Sequence, residues 1–189
     1  MIYLITNRNL AIKEKYLAVL KEASYNGINN IILREKDLAD IEFEELYRLV
    51  KKSINPKCNL IINSKLNVFN RVKENTIHLP FKEFLSYNPN RIVEVGVSVH
   101  TLEEGIEADK RGAKYILASH IYETKCKEGL EPKGIEYIRR LKNNVKCQII
   151  ALGGINEKNY KDVLNAGADG IALMSYFFKQ DADYKKFNI

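Results

Sequence analysis

The sequence has little cysteine and no long hydrophobic run. Cys58, Cys126 and Cys147 are odd in number, lie far apart and form no CxxC pair. This spacing indicates neither a disulfide framework nor a zinc cluster, and it fits a reducing compartment. No apolar run reaches the roughly 18 residues that a membrane span needs. The first ten residues also lack the basic and apolar segments of a signal peptide. We therefore expect a cytoplasmic protein without membrane association.

The positive charge of the chain is spread out rather than concentrated. The formal net charge is +6 and the isoelectric point is about 9.1. However, the lysines lie along the whole chain, and no basic run is interleaved with aromatic residues. This distribution does not predict binding of nucleic acid. A small anionic ligand is the expected use of the charge.

Short apolar segments alternate with amphipathic segments along all 189 residues, without a linker or low-complexity tract. The predicted strands are 2–6, 30–35, 59–63, 76–79, 92–99, 115–119, 148–154 and 170–174. The predicted helices are 11–24, 43–53, 66–73, 81–87, 101–112, 135–141 and 156–166, with a last aromatic-rich helix from Ser175. Eight strands apolar enough to be covered on both faces predict one (β/α)8 TIM-barrel domain over residues 1–189. Such barrels usually have about 200 residues or more, so the loops must be short. A doubly wound open sheet is the alternative.

Capping residues mark the helix ends in the second half of the chain. Thr101 and Glu104 are spaced as a capping box, and Gly112 is placed to end the helix that they begin. Asn156 is the predicted N-cap of the helix over 156–166, which Gly167 ends.

Polar residues and glycines follow most of the predicted strands, at the end of a barrel where active sites are built. They are Thr6, Arg34, Glu35, Lys36, Asn63, Ser98, His100, His120, Gly153, Gly154 and Ser175. Gly153 and Gly154, with the step from Met174 to Ser175 into the last helix, have the positions of a phosphate site of backbone N–H groups. Glycine pairs also serve simple turns, which is the alternative.

The segment 119–134, SHIYETKCKEGLEPKG, is a long polar connection after an apolar strand. Long connections in compact domains are usually functional. It contains His120, whose imidazole is a candidate acid and base because histidine titrates near neutral pH. The alternative is a structural histidine bonded to a neighbouring loop. His100 is expected to help begin the next helix, and His78 to be packed among apolar neighbours.

Several motifs resemble those of the thiamine phosphate synthase superfamily, a set of eight-stranded barrels that act on thiazole phosphates. They are LREKD, IIN, GVSVHTLEE, IYETKCK, ALGGIN and GADGIALMS. Within that superfamily the chain is most similar to the thiazole tautomerase branch, through VSVHTLEE and HIYETKCKEGLEPKG. The synthase branch typically has Gly-Pro where this chain has Ser119 and His120. The resemblance places His120 at the position of the tautomerase's catalytic histidine, and it implies a homodimer and a thiazole phosphate substrate.

The chain departs from the synthase pattern at two positions where that branch has magnesium ligands. The synthase branch has Asn-Asp after the third strand, where this chain has Asn63 and Ser64, and a second metal ligand after the fourth, where this chain reads HLPFKEF. A single carboxylate such as Glu83 is a poor magnesium site for a departing diphosphate. We therefore expect no metal and no cofactor, with Mg²⁺ needed only for synthase activity.

The strand-end positions and the resemblance together give the residues expected to contact the ligand: Arg34, Lys36, Asn63, Ser98, Thr124, Cys126, Lys127, Gly153, Gly154, Met174 and Ser175. Arg34 and Lys36 match ligands of the pyrimidine diphosphate in the synthase, or else form ion pairs with Glu35 and Asp37. Cys126 is expected to be a small residue facing the ligand rather than a nucleophile.

Three functions follow from this reading of the sequence. The favoured one is a tautomerase that aromatises a thiazole carboxylate phosphate by histidine-mediated proton transfer. The enzymatic alternative is thiamine phosphate synthase, which joins thiazole phosphate to a pyrimidine diphosphate. The non-catalytic alternative is a barrel that binds a thiamine intermediate as a regulator.

Overall fold

Eight strands form a closed barrel in chain order in the computed structural model, which describes residues 1–12, 15–124, 129–179 and 182–187. The strands are β1 (Ile2–Ile5), β2 (Asn30–Leu33), β3 (Asn59–Asn63), β4 (Thr76–Pro80), β5 (Glu94–Val99), β6 (Tyr115–Ser119), β7 (Gln148–Leu152) and β8 (Gly170–Leu173). Pairings such as β1 with β2 and β6 with β7 are parallel. The predicted (β/α)8 barrel is therefore confirmed, and the open sheet is wrong.

A helix follows each of the first seven strands. The helices are α1 (Tyr16–Tyr25), α2 (Asp40–Ser53), α3 (Leu66–Val72), α4 (Phe81–Ser86), α5 (Leu102–Lys110), α6 (Gly134–Lys142) and α7 (Tyr160–Asn165). Within the described part of the chain, no helix is both long and apolar enough to cross a membrane.

Burial follows the pattern expected for strands covered on both faces. Every residue of β1, β2, β6 and β8 is buried. The helices bury one stripe of side chains each, for example Phe43 and Val50 of α2 and Ile138 and Leu141 of α6. Burial of these apolar surfaces is the main stabilising contribution to such a fold.

The chain divides into two compact units. The first contains Met1–Glu74 and Leu173–Ile189, and the second contains Asn75–Ala172. The first unit includes β1, β2 and β3, and the second includes β4 to β7. Candidate residues occur in both units.

Three helix predictions differ most from the structure. Instead of beginning at residue 11, α1 begins at Tyr16, after a 3-10 turn over Arg8–Leu10 that the Asn7 side chain caps. The last helix is a single 3-10 turn, Ser175–Phe178, because its aromatic residues pack inward: Phe177 is buried and stacks on Tyr184 at 5.6 Å.

The third error concerns Asn156, which does not cap a helix directly. The N-cap of α7 is Asn159, whose side chain accepts a bond from the Asn156 N–H at 2.8 Å. The Asn156 side chain in turn accepts from the Lys158 N–H at 2.9 Å. Asparagine side chains that bond to nearby backbone compete with helix formation, and the turn they make delays the helix by four residues.

Candidate functional site

His120 follows directly after β6, at the carboxyl end of that strand, as predicted. Its side chain is buried, with 4% of the residue exposed. The Nε2 atom lies 3.3 Å from the carbonyl oxygen of Leu130. This contact brings the second half of the segment 119–134 back over the imidazole.

Backbone hydrogen bonds hold the same segment against the end of β6. The Lys133 N–H donates to the His120 carbonyl and the Gly134 N–H to the Ile121 carbonyl, both at 3.0 Å. Gly134 has a φ of +67°, a value that glycine adopts without strain. The run EPKG therefore returns the chain to His120, and α6 begins at its last residue, Gly134.

Gly153 and Gly154 follow β7 and make close backbone contacts with the segment after β6. A Cβ atom on Gly153 would lie 2.5 Å from the Cβ of His120, and one on Gly154 would lie 2.4 Å from the Glu123 carbonyl oxygen. Their φ angles are +106° and +66°. Packing against His120 thus requires a glycine at 153, and packing against Tyr122 and Glu123 requires one at 154.

His100 supports the start of α5, as predicted, and also touches the end of β6. Its backbone N–H donates to Glu104 at 2.6 Å, while Thr101 caps the helix by accepting from the Glu104 N–H at 3.1 Å. Its Nδ1 lies 3.2 Å from the hydroxyl and 3.4 Å from the carbonyl oxygen of Ser119. The ring is therefore a neighbour of the peptide that precedes His120.

His78 is packed in the interior, as predicted, with 1% of the residue exposed. Its Nδ1 lies 3.0 Å from the Tyr115 hydroxyl and its Nε2 lies 2.8 Å from the Ser98 hydroxyl. Gly96 makes room for the Tyr115 ring, since a Cβ there would lie 2.0 Å from it. Hydrogen bonds from Tyr115 through His78 therefore hold the hydroxyl of Ser98, a candidate ligand residue that is half-buried.

The segment after β2 in the first unit is organised around Glu35. This buried carboxylate accepts the Arg8 backbone N–H, at 3.1 and 3.0 Å to its two oxygens, and the Tyr16 hydroxyl at 2.8 Å. Burial, together with the charge of Glu35, raises the pKa of Tyr16, so this hydroxyl keeps the proton it donates. The Arg8 guanidinium binds Asp37 with two bonds of 2.6 and 2.7 Å.

These contacts show whether Arg34 and Lys36 form ion pairs with Glu35 and Asp37. Glu35 and Asp37 pair with Arg8, which no sequence pattern indicated, so the alternative of local ion pairs with Arg34 and Lys36 is wrong. Among the described residues neither Arg34 nor Lys36 forms a salt bridge. The Arg34 backbone N–H donates to Thr6, and its side chain is half-buried, while Lys36 is exposed. Within the described ranges, no acidic side chain therefore occupies either cation.

The remaining candidates in the first unit lie at the end of β3 and directly after β8. Asn63 is half-buried and its side-chain N–H donates to the Ser64 hydroxyl at 3.2 Å. Met174 is half-buried and Ser175 exposed at the start of the 3-10 turn. Because that turn is only four residues long, the strong dipole expected of a full helix is missing, and only its N–H groups remain as donors.

Part of the β6 segment lies outside the described residues. Thr124 is half-buried. The predictions for Cys126 and Lys127 fall on residues 125–128, which the structure does not describe.

The donor set does not fit the magnesium site implied by the synthase branch. Magnesium prefers oxygen ligands and is usually held by carboxylates. β3 ends at Asn63, which Ser64 follows, and β4 ends at Pro80, with Glu83 exposed on α4. No group of three or more His, Cys, Asp or Glu residues suited to a metal occurs in the described parts of the chain.

Comparison with known proteins places these features in one family. A family model described as thiamine monophosphate synthase (TMP-TENI) matches residues 2–177. The thiamine-phosphate synthase of Clostridium tetani is 33% identical over 191 residues, covering 98% of this chain and 90% of that protein. That of Pyrococcus horikoshii is 33% identical over 180 residues, covering 92% and 84%.

Solved structures give the same result. The thiamine phosphate pyrophosphorylase of Pyrococcus furiosus superposes with a TM-score of 0.83 at 27% identity, covering 98% of this chain and 92% of that one. The corresponding enzyme of Bacteroides thetaiotaomicron has a TM-score of 0.71 at 18% identity, which supports the fold alone.

Proposed function

Because the chain belongs to the thiamine monophosphate synthase family, we propose that it is an enzyme of thiamine biosynthesis that tautomerises a thiazole carboxylate phosphate. The observation that carries the proposal is His120, a buried imidazole at the carboxyl end of β6, where barrel enzymes place catalytic groups. The names of the relatives support the pathway and the family. The choice of reaction rests on this residue and on the poor fit of the donor set to magnesium.

The proposed reaction is a proton transfer without change of oxidation state. A C–H bond of the dihydrothiazole ring breaks, and its proton moves to the imidazole of His120. The electron pair shifts through the ring to the exocyclic carbon, which takes the proton back, so the ring becomes aromatic and His120 is regenerated. A single positioned imidazole suffices for both transfers, since histidine accepts and releases protons near neutral pH.

The remaining candidates bind the charged ends of this substrate. Arg34 and Lys36 are cations without a salt bridge among the described residues, so they suit a carboxylate or a phosphate. Gly153, Gly154, Met174 and Ser175 offer backbone N–H groups to a phosphate. Asn63, Ser98, Thr124, Cys126 and Lys127 stay proposed ligand residues by family resemblance.

Thiamine phosphate synthase is the second candidate. The curated relatives carry that name, and Arg34 and Lys36 occupy the positions that resemble diphosphate ligands of the synthase. Against it stands the sequence Asn63-Ser64, which lacks the carboxylate after β3. This candidate requires Mg²⁺, whereas tautomerisation by His120 does not.

Two incubations separate the candidates. The purified protein is given the thiazole carboxylate phosphate in EDTA, and separately thiazole phosphate with the pyrimidine diphosphate and Mg²⁺. We expect the aromatic tautomer in the first and no thiamine phosphate in the second. The reverse pattern establishes the synthase reaction. Light scattering on the same sample tests the proposed homodimer.

A further inference from the structure

The two ring nitrogens of His120 have different surroundings. Nε2 lies 3.3 Å from the carbonyl oxygen of Leu130. Nδ1 has no hydrogen-bond partner among the described residues. In the same residues no side-chain nitrogen or oxygen is both buried and without a partner. His120 as a whole is 4% exposed.

This asymmetry determines which nitrogen carries the proton. A carbonyl oxygen can only accept, so a hydrogen bond between it and Nε2 requires a proton on Nε2. A neutral imidazole has one N–H, which leaves the lone pair on Nδ1. We propose that Nδ1 is the catalytic nitrogen of His120 and that the Leu130 carbonyl is the positioning group that holds the ring in the Nε2–H tautomer. The inference rests on the proposed tautomerase function.

The Leu130 carbonyl is held in place by backbone contacts of its own segment. Two bonds of 3.0 Å, from Lys133 to the His120 carbonyl and from Gly134 to the Ile121 carbonyl, tie this segment to the end of β6. The Leu130 side chain is 60% exposed, so its role lies in the main chain rather than in packing. The part of the sequence that sets the tautomer is thus the turn GLEPKG, whatever side chain residue 130 carries.

The same contact assists the reaction after the first proton transfer. When the substrate C–H bond breaks and Nδ1 takes the proton, both nitrogens of His120 become donors. The bond from Nε2–H to the Leu130 carbonyl is then charge-assisted and stronger than in the neutral state. It stabilises the imidazolium until Nδ1 returns the proton to the exocyclic carbon. Protons and electrons balance, and no oxidant or other reactant is required.

Nitrogen-15 NMR of the full chain labelled at histidine reads the tautomer directly in the resting protein. His120→Gln assigns the signals of His120 among the three histidines. We expect an Nε2–H tautomer for His120, unchanged in Leu130→Ala, which keeps the carbonyl. An Nδ1–H tautomer overturns the proposal. This reading needs no turnover, so it is separate from the test of the proposed function.

Two chemical variants test the role of each group. Replacing Glu131 by its α-hydroxy acid turns the Leu130 carbonyl into a weaker ester acceptor, and we expect mixed tautomers and a lower kcat with little change in KM. Replacing His120 by Nδ1-methylhistidine blocks Nδ1 and leaves Nε2 in the neutral ring as an acceptor without a proton, so both the proposed base and the bond to the Leu130 carbonyl are lost. We expect turnover to fall by about 10²-fold or more, the scale of a lost acid or base. Full turnover of the methylated protein overturns the proposal, whereas a wild-type protein without turnover overturns the proposed function instead.

Discussion

The segment after β2 and the segment after β6 use polar residues in opposite ways. After β2, the charged groups Glu35 and Asp37 are occupied by Arg8 and Tyr16, so a buried carboxylate at a strand end serves the fold. After β6, main-chain groups hold the segment, and the Leu130 carbonyl engages only Nε2 of His120 among the described residues. Position at a strand end is therefore not sufficient to identify a catalytic group. The partners of the group decide its role.

The largest effect should come from removing the imidazole. We expect His120→Ala to lower kcat for tautomerisation by about 10²-fold or more, because the substitution removes the proposed acid and base. Arg34→Ala should mainly raise KM, since it removes a charge that binds the substrate in ground and transition state alike. Steady-state kinetics of both variants measure the effects on kcat and on KM separately. If Arg34→Ala lost as much kcat as His120→Ala, the division of roles between the two segments would be wrong.

The next effect concerns stability rather than activity. Glu35→Ala leaves the Tyr16 hydroxyl and the Arg8 N–H without their acceptor. An orphaned buried donor costs about 1–3 kcal/mol, so the free energy of unfolding in urea should fall by about that amount. Glu45→Ala, at an exposed position of α2, is the matched control and should change the free energy of unfolding little. Equal stability of the two variants would contradict the structural role of Glu35.

A comparison of Gly153 with Gly27 tests the close packing against His120. Gly153 and Gly27 have similar φ angles, +106° and +101°, but a Cβ meets the His120 side chain only at Gly153. Both alanine variants bear the cost of a positive φ, about 1–3 kcal/mol. We expect Gly153→Ala to be the less stable of the two and also to lose turnover. Similar stability and full activity in both variants would show that the end of β7 does not position His120.

The smallest expected effect is slow alkylation of the thiols of Cys58 and Cys147 in the native protein. Burial raises the pKa of the Cys58 thiol to about 12, and burial together with Asp109 raises the pKa of the Cys147 thiol to about 12. A raised pKa lowers the thiolate fraction at any neutral pH, so alkylation should be slow in the native protein. Mass spectrometry should find both thiols modified only after denaturation. Rapid native modification of either thiol would contradict the raised pKa values.

Alternation of apolar and amphipathic segments was sufficient to predict the barrel, since eight buried strands in chain order have few other arrangements. The position of His120 was predictable because a strand end and a family motif coincide there. The contacts of Arg8 with Glu35 and Asp37 were not, because they join residues 27 and 29 positions apart. The packing role of Gly153 was also hidden, because a glycine in the sequence does not reveal what lies against it. The delayed start of α7 depended on asparagine side chains whose bonds only the fold determines.

Conversion in D₂O with EDTA present tests the central claim most directly. If the imidazole of His120 takes the ring proton and exchanges it with solvent, the aromatic product should carry deuterium on its exocyclic carbon, and proton NMR should show it. His120→Ala should yield neither product nor deuterium above the uncatalysed rate. Absence of aromatic product in EDTA, together with thiamine phosphate formed from the two synthase substrates in Mg²⁺, would contradict the tautomerase account.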